Sequence, residues 1–212
     1  MSNKLDVQIV LDRSGSMANA WDDTIGGLNQ YVSTLAEDKE VDAAITLTVF
    51  DTGSIDTIRS AVSAKKFEKV TEKEVHPRGG TPLFDAVGQS INAMRDRLSK
   101  HRKALVVMTD GYENSSQEHT AASIKALIER CQKDDWLVTY LGADHDAWDQ
   151  ASSMGFGAAH VGQYSKKRTK AAFRTMAQLT PLFASSGDAG AASFSKAQRS
   201  EMLDEDDTQS PS

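Results

Sequence analysis

The chain has one cysteine, Cys131, in 212 residues, so no intrachain disulfide can staple it. No apolar run approaches the roughly 20 residues that span a bilayer, which removes a membrane-spanning helix from consideration. The first apolar stretch, Val7–Leu11, follows the polar Met1–Asp6 and is too short and too early for a signal-peptide core. These absences lead us to expect a cytoplasmic protein. A basic excess is also missing. With 24 Lys and Arg against 30 Asp and Glu, the formal net charge is −6, which argues against a general nucleic-acid binder because phosphate contact needs a basic face. There is no internal repeat, and His76, His101, His119 and His160 are scattered, with no two at ligand spacing.

What is present is an ordinary globular composition, 39% hydrophobic and 25% charged. Apolar runs alternate with helical patterns. Leu5–Asp12 reads as a buried strand, and Ala18–Leu35 as a helix, because Trp21, Ile25, Leu28, Tyr31, Val32 and Leu35 recur at three- and four-residue spacing. Val41–Asp51 and Ser54–Ser60 are strands joined by a tight turn at Thr52-Gly53, which makes one antiparallel edge strand. A short helix is expected near Lys65–Thr71, and a longer one from Leu83 to about His101, with Pro82 suited to its first turn. Lys103–Gly111 and Trp136–Gly142 are buried strands, and Thr120–Lys133 is a helix between them. Ala147–Met154 is a short helix capped by Asp144 or Asp146, Ala158–Val161 a last short strand, and Ser165–Leu179 a helix.

Strands that are apolar on both faces and alternate with helices indicate a parallel sheet covered on each side. The expected fold is therefore α/β, a doubly wound, mostly parallel Rossmann-like sheet with one antiparallel edge strand. We expect residues 1–180 to form this domain and 181–212 a flexible acidic tail. The stretch from Ser185 to Ser193 is small and loose, and Glu201, Asp204, Glu205, Asp206 and Asp207 follow.

In such sheets ligands sit beyond the carboxyl ends of the strands. Three polar clusters fall there: Asp12-Arg13-Ser14-Gly15-Ser16, Gly79-Gly80-Thr81 and Thr109-Asp110-Gly111. Asp12, Ser14 and Ser16 alternate, so their side chains can converge as the chain leaves the strand. Hydroxyls and carboxylates form a hard, all-oxygen donor set suited to magnesium and unsuited to zinc. With only Asp12 and Asp110 charged, a divalent ion would be balanced yet keep its attraction for one further carboxylate from outside. Taken alone, Asp12, Ser14 and Ser16 also suit a turn that caps the next helix, a reading that leaves Thr81 and Asp110 without a role.

On these residues the chain resembles a von Willebrand factor type A (VWA) domain with a metal-ion-dependent adhesion site (MIDAS). D-x-S-x-S appears as Asp12-Arg13-Ser14-Gly15-Ser16, the single threonine as Thr81 in GGTPLFDA, and the second acid as Asp110 in VVMTDG, all in family order. The resemblance runs from about Leu5 to Leu179. It implies that Ser14 and Ser16 ligate the ion directly, and that Thr81, Asp12 and Asp110 do so directly or through water. The ion implied is Mg2+, with Mn2+ or Ca2+ as substitutes. It also implies a protein ligand presenting an Asp or Glu carboxylate, with an AAA+ ATPase as a partner by family analogy.

Gly79 and Gly80 suit either a threonine loop that shifts when a ligand arrives or an ordinary tight turn. Asp144, His145 and Asp146 could ligate a metal, but helix capping explains them better, with Asp144 on the rim. Glu113-Asn114 reads as a solvated loop, and Cys131 as a small apolar packing residue. Lys166, Lys167, Arg168, Lys170 and Arg174 form a basic helical face, solvated or open to an acidic partner or nucleic acid. The acidic end could reach the metal of a second molecule and cause self-association. The functional expectation is a non-catalytic, metal-dependent protein-interaction module. A Mg2+-dependent phosphohydrolase is the enzyme alternative, weakened because no P-loop occurs and Ser14 stands where an acid/base aspartate would be needed. A scaffold with a purely structural metal is the third.

Overall fold

The computed structural model describes residues 3–143 and 147–204. Asp144, His145 and Asp146 lie outside the described residues, as does the acidic end from Glu205, so the capping and tail readings placed on them stand as expectations.

Six strands form one sheet: β1 (Asn3–Asp12), β2 (Val41–Asp51), β3 (Ser54–Ser63), β4 (Arg102–Thr109), β5 (Leu137–Ala143) and β6 (Val161–Tyr164). Their order is β3-β2-β1-β4-β5-β6, and every neighbouring pair is parallel except β2 and β3, which the turn at Thr52-Gly53 makes antiparallel. The helices are α1 (Trp21–Glu37), α2 (Leu83–Asp96), α3 (Ala121–Lys133), α4 (Ala147–Ser153), α5 (Thr169–Ser186) and α6 (Lys196–Glu201). The expected doubly wound sheet with one antiparallel edge is the observed one.

Alternation along the strands divides two cores. Leu5, Val7, Ile9 and Leu11 of β1 join Val106 and Met108 of β4 beneath α1 and α5, whose Leu28, Tyr31, Phe173 and Phe183 are buried against them. Val10, Leu105 and Val107 face the other way, toward Leu83, Val87 and Ile91 of α2 and Ile124 and Ile128 of α3. Each such buried side chain contributes about 1.5–3 kcal/mol of transfer free energy, so both faces resist exposure.

The winding reverses between β1 and β4. Leu11 of β1 stands beside Met108 of β4, so the two chains leave the sheet side by side as Asp12 and Thr109-Asp110. That is where a doubly wound sheet opens a crevice.

Several expected elements differ. The first helix is preceded by a 3-10 turn at Gly15–Ala20. The helix expected near Lys65–Thr71 is only a 3-10 turn at Ala64–Lys66, because the Asn29 side chain takes both the N–H and the carbonyl of Val70. α2 ends at Asp96 and not near His101; Arg97 adopts extended backbone and its guanidinium reaches Thr46 on the sheet. The last strand begins at Val161, where the expectation had it end, and α5 starts at Thr169 after a 3-10 turn at Lys166–Arg168.

The largest departure is the carboxyl-terminal segment. α5 runs through the boundary expected at residue 180 to Ser186, ending on Gly187 in the left-handed region. Beyond it Ala192, Phe194 and Met202 are buried, and a Cβ on Gly162 of β6 would stand 3.1 Å from both Phe194 and Met202. The backbone N–H of Ser165 donates to the Met202 carbonyl at 2.9 Å, and that of Phe194 to Ala159 at 2.9 Å. Residues 187–204 are therefore a packed cover over the β6 edge and not a loose tail. Two large apolar side chains among small residues supply the contact, and α6 is started by the Ser195–Gln198 capping box.

Candidate metal centre

Asp12, at the end of β1, is fully buried and held at both oxygens. Its Oδ1 accepts from the Ser14 backbone N–H at 2.6 Å, and its Oδ2 from the Thr109 hydroxyl of β4 at 2.6 Å. Burial pushes its carboxyl up to about 6; the donors from Thr109 and Ser14 offset part of that rise, and the nearby Asp110 charge adds to it. Ser14 Oγ lies 3.0 Å from Ser16 Oγ, and the Ser16 hydroxyl donates to Asp110 Oδ1 at 2.5 Å.

Thr81 joins them from the loop before α2. A Cβ placed on Gly111 would stand 2.9 Å from Thr81 Oγ1, 3.4 Å from Ser16 Oγ and 3.7 Å from Asp12 Oδ2, so three oxygens converge on one glycine. The structure thus brings together all five side chains singled out from the sequence. Ser16 is exposed while Asp12, Ser14 and Thr81 are buried, so the cluster opens to solvent on one side.

Asp110 Oδ2 is buried and has no hydrogen-bond donor aligned on it. A cation, Lys166 Nζ, lies 2.7 Å from it, positioned as an ion pair. This chemistry fits a hard divalent ion: all the ligating atoms are oxygens and two of the side chains are carboxylates. Among the described residues no three His, Cys, Asp or Glu side chains gather as a metal site; this cluster itself has two carboxylates and three hydroxyls.

The loops are set by residues around the cluster. Arg13 turns away from it. Its Nε donates to Asp51 Oδ2 at 2.6 Å and its Nη2 to Asp56 Oδ2 at 2.6 Å, while Arg78 Nε reaches the same Asp51 oxygen at 2.9 Å. Burial alone would raise the Asp51 carboxyl, but Arg78, the Gly53 N–H and Arg13 together hold it below its ordinary value. The Arg78 N–H also donates to the Arg13 carbonyl, and the Gly15 N–H to the Gly79 carbonyl, so the first loop is laced to the threonine loop. Gly79 has φ +66°, and a Cβ there would collide with Thr52 Oγ1. Between the two sequence readings of this glycine pair, the geometry favours a fixed tight turn at which only glycine fits.

Glu113-Asn114, expected to be a solvated loop, is tied down. Asn114 Oδ1 accepts from the Thr81 N–H at 2.9 Å, and Glu113 accepts from the N–H groups of Phe84, Ser115 and Ser116. An acid facing the amino end of α2 satisfies donors that would otherwise be orphaned. A cavity of about 130 Å3 lies beside Asp110 and Tyr112, walled by Tyr140 and Gln150.

The basic segment is occupied from within the chain. Lys166 pairs with Asp110, Lys167 and Arg168 with Asp204, Lys170 with Asp23 and Arg174 with Glu201. Cys131 is buried, in keeping with its packing role. Sequence reasoning named Thr109, Asn114 and Lys166 only within a polar cluster, a loop and a basic face, and gave none of them a role at the site. Thr109 carried a signal, since it directly precedes Asp110 at a strand end; Lys166 carried only its charge within the basic segment, and Asn114 carried none.

A family model described as von Willebrand factor type A domain matches residues 6–179. Comparison with curated protein sequences yields no match. Among solved structures, the vWF domain of the type V pili tip protein Mfa5 from Porphyromonas gingivalis is similar at TM-score 0.65 and 12% identity, over 86% of this chain and 96% of that one. The von Willebrand factor type A structure from Catenulispora acidiphila is similar at TM-score 0.62 and 19% identity, over 85% of this chain and 43% of that one. Manganese-loaded TRAP protein from Plasmodium vivax is similar at TM-score 0.55 and 14% identity, over 80% of this chain and 71% of that one.

Proposed function

The chain belongs to the von Willebrand factor type A domain family, and on that premise we propose that it captures a carboxylate of a partner protein through a divalent ion, magnesium by donor chemistry, held among Asp12, Ser14, Ser16, Thr81 and Asp110. The observation that carries this reading is the convergence of five oxygen-bearing side chains from three loops, with Asp110 Oδ2 buried and drawing a cation, Lys166 Nζ, to 2.7 Å. A divalent ion there would balance the two carboxylates and offer an open coordination position to an outside acid. A manganese-loaded neighbour of the same fold supports the choice of a hard divalent ion.

The surrounding residues supply rigidity. Thr109 and the Ser14 N–H fix the Asp12 carboxylate, Asn114 fixes the threonine loop, and the Arg13–Asp51–Arg78 network fixes the first loop. Preorganised donors lose little conformational freedom when they are engaged. The reading is non-catalytic: the Ser14 and Ser16 hydroxyls are engaged with each other and with Asp110, the same oxygens that the proposed ion would take as ligands, so neither serine is set apart as a nucleophile. The adjoining cavity of about 130 Å3 is also well below the roughly 300–1,000 Å3 of small-molecule sites.

The test is affinity capture from a lysate with immobilised wild type and Asp110→Ala, in magnesium and in chelator. Proteins held by wild type in magnesium and lost in chelator and in the variant are the expected result; an AAA+ ATPase is the partner class that the resemblance implies. Equal capture in every condition overturns the reading. Magnesium-dependent phosphatase turnover that disappears in Asp110→Ala would replace it with the hydrolase, and melting that responds to chelation with no metal-dependent capture would replace it with the scaffold.

A further inference from the structure

We propose that the Lys166 ammonium is a built-in counter-cation that competes with the divalent ion for Asp110, so that metal uptake and release of Lys166 are coupled. This rests on the metal-binding reading above. Lys166 comes from the turn after β6, outside the three loops that supply the oxygens. Its Nζ lies 2.7 Å from Asp110 Oδ2 and donates to the Ser16 carbonyl at 3.4 Å. Its neighbours Lys167 and Arg168 turn instead to Asp204, so Lys166 alone of that turn is directed into the cluster.

Two features make the contact exchangeable. The Asp110 side chain is 1% exposed, whereas that of Lys166 is 32% exposed, so the lysine has a route to water and the carboxylate has none. The long flexible stem lets the ammonium leave without moving backbone. Charge counting gives the direction. Asp12 and Asp110 with Lys166 carry one net negative charge; a divalent ion added with the ammonium in place would leave an excess of positive charge at short range, where like charges repel strongly. The ammonium meets one oxygen of Asp110 and one carbonyl, whereas the ion would meet five side chains. At sufficient metal concentration the ion therefore wins Asp110, and Lys166 is released beside it.

The experiment is calorimetric titration of metal-free protein with magnesium chloride, for wild type, Lys166→Met, Lys166→Gln and Lys170→Met. Lys170 is a matched control, since it pairs with Asp23 away from the cluster. Both Lys166 variants are expected to bind magnesium about tenfold more tightly than wild type, equivalent to about 1.4 kcal/mol, and Lys170→Met to match wild type. If wild type binds and the Lys166 variants bind no more tightly, this inference falls while the metal-binding reading stands. It also falls if Lys170→Met tightens binding as much, because the effect is then general charge. If no chain binds magnesium, both fall. Binding by the Lys166 variants alone supports both.

Discussion

Thr109 of β4 donates its hydroxyl hydrogen to Asp12 Oδ2 of β1 at 2.6 Å, joining the two strand ends between which the winding reverses. The Thr109 hydroxyl oxygen in turn accepts from the Gly111 N–H at 3.1 Å. Thr109→Val keeps the shape and removes the hydroxyl, leaving a buried carboxylate oxygen and an N–H short of a partner. An unsatisfied buried group costs about 1–3 kcal/mol. Urea denaturation should show a loss in that range, with Thr109→Ser recovering most of it. Wild-type stability in the valine variant would contradict the role given to this bond.

Magnesium should raise the melting temperature. A ligand that binds only the native state, at 100 times its Kd, adds about 2.7 kcal/mol, which for a chain of this size is roughly 5–10 °C. Asp12→Ala and Asp110→Ala should remain folded and show no such shift in a thermal melt. A shift of equal size in either variant would remove that residue from the metal set.

Asp85 sets an acid-side prediction. Burial opposes its charge, but backbone N–H donors from Gln117, His119 and Glu118 outweigh that and keep its carboxyl below the ordinary value. A depressed carboxyl contributes stability that is complete above its unfolded pKa of about 3.9 and is lost as pH falls through the lower folded value. Wild type should therefore exceed Asp85→Asn in stability at pH 6, and the gap should close below about pH 4. Denaturation at pH 6, 4 and 3 measures it, and a gap independent of pH would contradict the assignment.

Gly79→Ala tests the fixed turn. The left-handed backbone costs an alanine about 1–2 kcal/mol, and the new Cβ would collide with Thr52 Oγ1. A stability loss of about 2 kcal/mol or more is expected in urea, together with weaker magnesium binding, because Thr81 rides on this loop. An unchanged stability would return the glycine pair to the flexible reading.

Two truncations separate cover from tail. Removing 205–212 should leave the urea midpoint nearly unchanged, whereas removing 200–212 also strips Met202 from the core and Asp204 from Arg168. Loss of one buried Met side chain alone costs about 2–5 kcal/mol. Equal stability of the two truncations would show that Met202 contributes nothing. The mass of the shorter truncation in magnesium decides whether the acidic end links copies: unchanged mass relative to wild type ends that proposal.

The strands were legible because β-branched runs such as VDAAITLTVFD leave a period that backbone geometry alone demands, and α1 because Trp21 through Leu35 repeats at helical spacing. The five oxygen residues were legible because each sits where an apolar run stops or just before a helix starts. The cover over β6 was not. Phe194 and Met202 stand singly among small and polar residues, and nothing local distinguishes them from a soluble tail until Gly162 leaves room beside the sheet.

Local chemistry thus determined most of the elements, the alternation of strands with helices and the identity of the acids and hydroxyls, since periodicity and turn residues act over a few neighbours along the chain. Tertiary structure alone decided that Lys166, more than 50 residues beyond Asp110, would rest 2.7 Å from its carboxylate, and that Arg13 would face Asp51 in place of the cluster. Contacts between distant segments depend on how the sheet's strands are ordered in space, and that ordering emerges only when the two apolar faces are buried together.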